Sequence, residues 1–175
     1  MFFTELETER LLLKIIDEYD AEFILRQFSN DDVNRWLFDA EPYTCIEDAE
    51  DIIRYYNEEE PRNQNRWIMI RKDDGEKVGT CGFHCWNRDL CTCELGYDLY
   101  PTYVKNGYMS EALSAILRFA SDEMKVKTIE AHIADGNMDS VKTALRQGFT
   151  DSKRTYMEIF RGKEYLHHIY VRIFE

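Results

Sequence analysis

Glu94–Leu113, ELGYDLYPTYVKNGYMSEAL, decides the reading of this chain. Its first half alternates in a period of two, so it reads as the end of a strand from Cys91 to Tyr100, stopped at Pro101. A short turn then reaches Gly107, and a helix is expected from Ser110 to Met124, with Ala112, Leu113, Ile116, Leu117 and Ala120 on one side. A glycine-bearing turn feeding a helix exposes backbone N–H groups and the positive end of the helix dipole. That combination takes phosphate oxygens without needing basic side chains. Taken alone, it is also an ordinary connection.

Upstream, Arg66–Arg71 and Lys77–Trp86 read as strands joined by the Asp-Gly turn of Lys72–Glu76, and Asn87–Leu90 turns into the strand already described. The result is an antiparallel meander. Before it stand a first strand, Arg10–Ile16, a helix over Asp17–Phe28, a short helix over Asp31–Phe38, and a helix to about Glu59. The last of these opens on Thr44 with Glu47 as a capping box. Downstream come a strand at Thr128–Ala134 and a helix at Asp139–Arg146 ended by Gly148. Strands at Tyr156–Phe160 and Tyr165–Phe174 close the chain as a hairpin. No repeat or linker divides it, and one domain over residues 1–175 is expected.

The chain carries 22 Lys and Arg against 34 Asp and Glu, a net charge of −12. That argues against nucleic acid as partner and suits a site that attracts cations. No apolar run approaches the roughly 18 residues of a membrane span, and Met1–Glu9 lacks the basic and apolar regions of a signal peptide. A cytoplasmic location is expected. Cys81, Cys85, Cys91 and Cys93 surround His84, but their spacings are not zinc knuckles and they alternate with apolar residues along strands. They read as reduced core or sheet-face thiols, and no metal is expected.

Val104-Lys105-Asn106-Gly107-Tyr108-Met109 resembles the acetyl-CoA pyrophosphate loop of the GNAT N-acetyltransferases, written Q/R-x-x-G-x-G/A. Val104 departs from Gln or Arg, and Met109 from Gly or Ala. Lys105 could restore positive charge. The run P-x-Y-x-x-x-G-Y-M-x-E-A-L is similar to the RimJ/RimL branch. So are Thr8-Glu9-Arg10-Leu11-Leu12-Leu13-Lys14 near the N-terminus and Asn137-x-x-Ser140 followed by Gln147-Gly148-Phe149. The resemblance runs from about Glu5 to Phe174. It implies a mixed α/β fold: a central, largely antiparallel, splayed sheet of about seven strands flanked by helices. It also implies acetyl-CoA as cosubstrate.

On that resemblance, the strand Glu94–Tyr100 pairs its backbone with the pantetheine arm, Leu99 being the partner, and Leu99 is equally a core residue. Val104 through Met109 hold the pyrophosphate and Asn137 bonds the pantetheine, although Asn is also a common helix cap. Many members carry a tyrosine general acid seven positions after that Asn, where this chain has Ala144. Ser140 is then the candidate acid, with a capping serine as the alternative. Glu94 could bind a cationic amine or relay its proton through water, or simply pair with Arg88. Asp98 shares its face by the strand period or turns away at a bulge. His84, His132, His167 and His168 are further proton carriers, one of the last two facing the acceptor. Asp31, Asp32, Glu41 and Glu58–Glu60 could lend the acceptor lip a negative field.

These readings converge on acetyl transfer from acetyl-CoA to a primary amine by direct attack in a ternary complex. No cysteine lies in a nucleophile context. The acceptor is the N-terminal amine of a protein or a small cationic amine. The final strands could pair across a two-fold axis in a homodimer. A non-catalytic acyl-CoA-binding regulatory module is the rival, favoured by Ala144 and the altered loop.

Overall fold

The computed structural model describes residues 2–174. The meander forms the middle of an eight-stranded sheet in the order β1-β2-β3-β4-β5-β6-β8-β7. Its strands are β1 (Leu6–Glu7), β2 (Leu11–Ile15), β3 (Asn65–Arg71), β4 (Lys77–Asn87), β5 (Thr92–Leu99), β6 (Thr128–Ala134), β7 (Thr150–Phe160) and β8 (Lys163–Ile173). Every neighbouring pair is antiparallel except β5 and β6. The eighth strand is β1, a two-residue element too short to show a hydrophobic period. The last hairpin begins at Thr150 rather than Tyr156. A bulge between Asp151 and Arg154, with Lys153 at φ 63°, breaks the alternation there and hides the strand's start.

Five helices cover the two faces: α1 (Ala21–Phe28), α2 (Asp31–Asn34), α3 (Ile46–Tyr56), α4 (Tyr108–Asp122) and α5 (Met138–Arg146). On one face Phe23 and Ile24 of α1 meet Ala49, Ile53 and Tyr56 of α3 over Ile16 and Ile68. On the other, the stripe Met109, Ala112, Leu113, Ile116, Leu117 and Ala120 of α4 is buried over Leu11, Leu13, Trp67, Met69 and Phe83. Each large side chain in these layers contributes about 1.5–3 kcal/mol. The start of α3 is set by Asp48, whose carboxylate accepts from the amides of Thr44 (2.7 Å) and Cys45 (3.2 Å). The cap is therefore Cys45 with Asp48, one residue beyond the expected Thr44 and Glu47. The short helix expected over Asp31–Phe38 ends at Asn34. Among the described residues no helix is long and apolar enough to cross a membrane.

Candidate active site

β5 and β6 pair only at Thr92–Thr128, Cys93–Ile129 and Glu94–Glu130, and then separate. From Leu95 to Leu99 the β6-facing edge of β5 has no strand partner, which leaves amide groups open to an extended ligand. The wedge opens into a cavity of about 770 Å³ lined by residues from both edges. Leu99 lies on its wall and also packs against the large core.

At the mouth of the wedge the chain turns into α4. Gly107, at φ 80°, is the N-cap, so the helix begins at Tyr108 and not at the expected Ser110. Among the described residues every backbone amide from Lys105 to Ser110 lacks an acceptor within the chain; the next, Glu111, closes on Gly107 O at 3.1 Å. Such a row of open N–H groups at a helix N-terminus is an anion cradle. A Cβ at Gly107 would stand 3.4 Å from Arg10 Nη2.

The loop is braced from below. The Glu111 carboxylate accepts from Thr8 Oγ1 (2.5 Å), Arg10 N (2.7 Å) and Arg10 Nε (2.7 Å). Arg10 Nη1 donates to Asn106 O at 3.0 Å and its guanidinium lies over the Tyr108 ring. The Thr8-Glu9-Arg10 opening thus anchors the helix and the loop that precedes it. Asn106 turns its carboxamide back onto Tyr103 O and Val104 O, and Met109 is buried. Val104, Lys105, Gly107, Met109 and Ser110 line the cavity; Asn106 and Tyr108 do not.

Asn137 caps α5, its Oδ1 accepting from Ser140 N at 3.3 Å, and it also faces the cavity. Since the cap is Asn137, Ser140 is not one. Ser140 Oγ instead stands 2.8 Å from Tyr97 Oη, which also reaches Ser140 O at 3.1 Å. Burial pushes the Tyr97 phenol up to about 12, so it keeps its proton at neutral pH. Ala144 is fully buried and offers no donor.

On the opposite face of β5, Glu94 occupies the last paired position before the wedge. His84 Nε2 lies 3.3 Å from its carboxylate and His132 Nδ1 3.6 Å, not Arg88, which stacks on Trp86 and bonds Asn63 and Arg62 O. The bond from His84, with a smaller contribution from His132, holds the Glu94 carboxyl below the usual range against the opposing effect of burial. His132 is held in turn by Glu130 at 3.1 Å, and Glu130 by Arg154 at 2.5 Å. Asp98 does face the same side as Glu94. Burial raises its pKa, while Thr80 Oγ1 (2.6 Å) and Gln27 Nε2 (2.7 Å) occupy its oxygens.

A parallel pair that splays beyond Glu94 and an amide cradle at a helix start form a site for an extended, phosphate-bearing ligand. Residues 10–150 match the Acetyltransferase (GNAT) domain family. The chain belongs to the GNAT acetyltransferases. It is 33% identical over 148 residues to the uncharacterized N-acetyltransferase YoaA of Bacillus subtilis (strain 168), covering 84% of this chain and 83% of that protein. Its fold is that of a GNAT-family acetyltransferase from Bacillus anthracis, with TM-score 0.82, 22% identity and coverage of 97% and 98%. A spermidine N-acetyltransferase from Vibrio cholerae, solved with CoA and spermine, shares the fold at TM-score 0.82 and 17% identity, covering 94% and 95%.

The GNAT frame brings Glu94, Leu99, Ser140, Asn137 and most of the cofactor loop around one cavity. It also settles the histidine pair. His167 is buried and stacks on Tyr156 at 5.0 Å on the cavity wall, whereas His168 turns out to Asp135. Asp32, Asp39 and Glu41 sit on the acidic lip; Asp31 and Glu58–Glu60 lie away from it. Sequence reading passed over Tyr97, Arg66, Lys142 and Arg146, all of which line the cavity. For Lys142 and Arg146 their own spacing of four, which puts both on one face of α5, was an available signal. For Tyr97 the signal was its parity with Leu95 and Leu99. Cys81 and Cys93 are buried and Cys85 exposed, and burial pushes the Cys81 thiol up to about 12. Among the described residues no group of three His, Cys, Asp or Glu side chains could hold a metal ion.

Proposed function

We propose that this single GNAT domain transfers the acetyl group of acetyl-CoA directly to a primary amine held at Glu94. The observation that carries this reading is the row of open amides from Lys105 to Ser110 beneath the unpaired edge of β5. Those amides receive the pyrophosphate, with Lys105, Lys142 and Arg146 supplying positive charge at the rim. The β5 edge through Leu99 takes the pantetheine amides together with Asn137.

Glu94, kept ionised by His84, attracts the ammonium form of the acceptor. Water beside Glu94 and His132 carries the amine's proton away. The amine nitrogen then forms a C–N bond to the acetyl carbon as the C–S bond breaks. The departing sulfur takes a proton from Ser140 Oγ, which Tyr97 refills across 2.8 Å. In becoming an amide the ammonium gives up two protons: one leaves to solvent through the water beside Glu94, and the other balances the proton gained by the thiol, returning through water to Tyr97. Tyr97 and Ser140 thus provide the donor that Ala144 does not, which favours a catalyst over a regulatory acyl-CoA binder. The RimJ/RimL-like motifs point to a peptide N-terminus as acceptor, and the acidic lip to a small amine. Thiol release from acetyl-CoA, followed with DTNB over a panel of amines and short peptides, tests the reading. Tight acetyl-CoA binding with no thiol release from any acceptor would refute catalysis.

A further inference from the structure

Arg66 sits on β3 opposite Gly82, and Gly82 is opposite Gly96 of β5. Neither glycine has a side chain, and a Cβ on Gly96 would stand 3.3 Å from both Arg66 Nη1 and His84 Cε1. The side chain is only 15% exposed, yet it lines the cavity. Nη2 donates to Tyr56 Oη at 3.0 Å, and the guanidinium covers the Tyr56 ring. Its carboxylate neighbour, Asp98, stands off at 3.7 Å because Thr80 and Gln27 already hold the Asp98 oxygens. Among the described residues Nε and Nη1 make no hydrogen bond. Neither atom is fully shielded, so both donors open onto the cavity and can meet a ligand anion there.

Glu94 and Gly96 share one face of β5, about 7 Å apart along the strand. A carboxylate with a preference for ammonium and a guanidinium with open donors therefore lie on one face, with the His84 ring beside both, its Nε2 3.3 Å from Glu94 and its Cε1 over Gly96. We propose that the acceptor is a small zwitterion whose primary amine rests at Glu94 and whose carboxylate is taken by the open N–H groups of Arg66. This rests on the amine-acetylation reading above and narrows it. A polyamine would set a second ammonium against Arg66, and an internal peptide carbonyl would bring no charge to its open donors, whose carboxylate neighbour, Asp98, is held off at 3.7 Å. Arg66 is thus a specificity-determining residue for a free amino acid or a close relative.

The test compares free amino acids with their matched α-carboxamides, and with spermidine, by DTNB thiol release from the intact protein with acetyl-CoA. Amides carry the less basic amine, so intrinsic reactivity favours them. The proposal expects the acids to win in kcat/KM by about tenfold to a hundredfold, the effect of one charge-assisted hydrogen bond. That ratio should fall toward one in Arg66→Met, mainly through KM, and be partly kept in Arg66→Lys. If Arg66→Met does not fold, the wild-type ratio and Arg66→Lys decide. Amides or spermidine turned over as well as the acids would overturn the zwitterion while leaving acetyl transfer standing. Turnover of no amine at all, with acetyl-CoA still bound by calorimetry, would overturn both.

Discussion

The Ser140–Tyr97 pair yields a prediction whose size follows from the geometry. Expelling a thiolate into a cleft is costly without a proton donor, and a positioned acid is worth about 10²–10⁴-fold. That is about 3–5 kcal/mol at 1.36 kcal/mol per decade. Ser140 Oγ has a single proton, and Tyr97 Oη at 2.8 Å is the neighbour placed to restore it. Because burial keeps the Tyr97 phenol protonated to about 12, this supply persists over the whole working pH range. Ser140→Ala and Tyr97→Phe should therefore each lower kcat by about two orders of magnitude or more, with the acetyl-CoA Kd unchanged.

The double variant should be no slower than the worse single one, since two members of one proton path act as a unit. Stability gives the control. Tyr97→Phe also strips a partner from Ser140 O and should cost about 1–3 kcal/mol, read as a drop of roughly 2–4 °C in Tm per kcal/mol. Thiol-release kinetics, calorimetry with acetyl-CoA and thermal melts separate these effects. Losses in kcat that multiply in the double variant would refute a shared path. An unchanged kcat with a lowered Tm would leave the pair a structural hydrogen bond.

Gly107→Glu places a side chain at φ 80°, a strain of about 1–2 kcal/mol, and a negative charge beside the amide cradle, so calorimetry should show at least a tenfold weaker acetyl-CoA complex in a folded protein. Glu94→Gln should cut kcat/KM by about 10²–10⁴-fold at constant acetyl-CoA affinity. Because the Glu94 carboxyl is held below its ordinary value, wild-type acceptor KM should rise only as pH falls through that depressed value, and the Gln variant should show no such rise. Asp20 is fully buried between Lys14 and Lys77, both at 2.6 Å, and these bonds hold its carboxyl low despite burial. Asp20→Asn should cost about 3–5 kcal/mol in denaturant unfolding at pH 7. The folded carboxyl lies below its unfolded value near 4, so this stabilisation is complete above that value and is lost as pH falls through the folded one. The difference between the two proteins should shrink in acid.

The periodic segments were legible. The meander, the strand–helix–strand succession through α4 and the Gly107 turn follow from alternation, helical spacing and turn residues alone. Two kinds of feature were not. Short or irregular pieces, such as Leu6–Glu7 and the bulged start of β7, carry too few residues for a period to stand out. Long-range polar partnerships were also hidden, because nothing local marks Tyr97 as the neighbour of Ser140, or His84 and His132 as the neighbours of Glu94. The N-terminal Thr8-Glu9-Arg10 run was seen as a motif before it had a physical reason. The reason is Glu111, a hundred residues away in sequence, which collects three hydrogen bonds from it and so fixes where the helix and its amide cradle begin.

Strand parity divides the chemistry. Along β5, Leu95, Tyr97 and Leu99 pack toward α4 and α5, where the cofactor loop lies, while Glu94, Gly96 and Asp98 face α1, α3 and Arg66. One strand therefore places Tyr97, the partner of Ser140, on one face and Glu94 on the other. The gap where β6 leaves it, just past Glu94, opens both faces to one cavity. A one-residue slip of β5 would exchange the two sets and destroy both halves at once. The register is held by seven antiparallel pairs to β4, from Gly79–Leu99 to Asn87–Thr92, and by the close approach at Gly79, where any Cβ would strike Asp98 O. That glycine lets the strand lie close to β4, and so helps set the side of the sheet on which Glu94 stands.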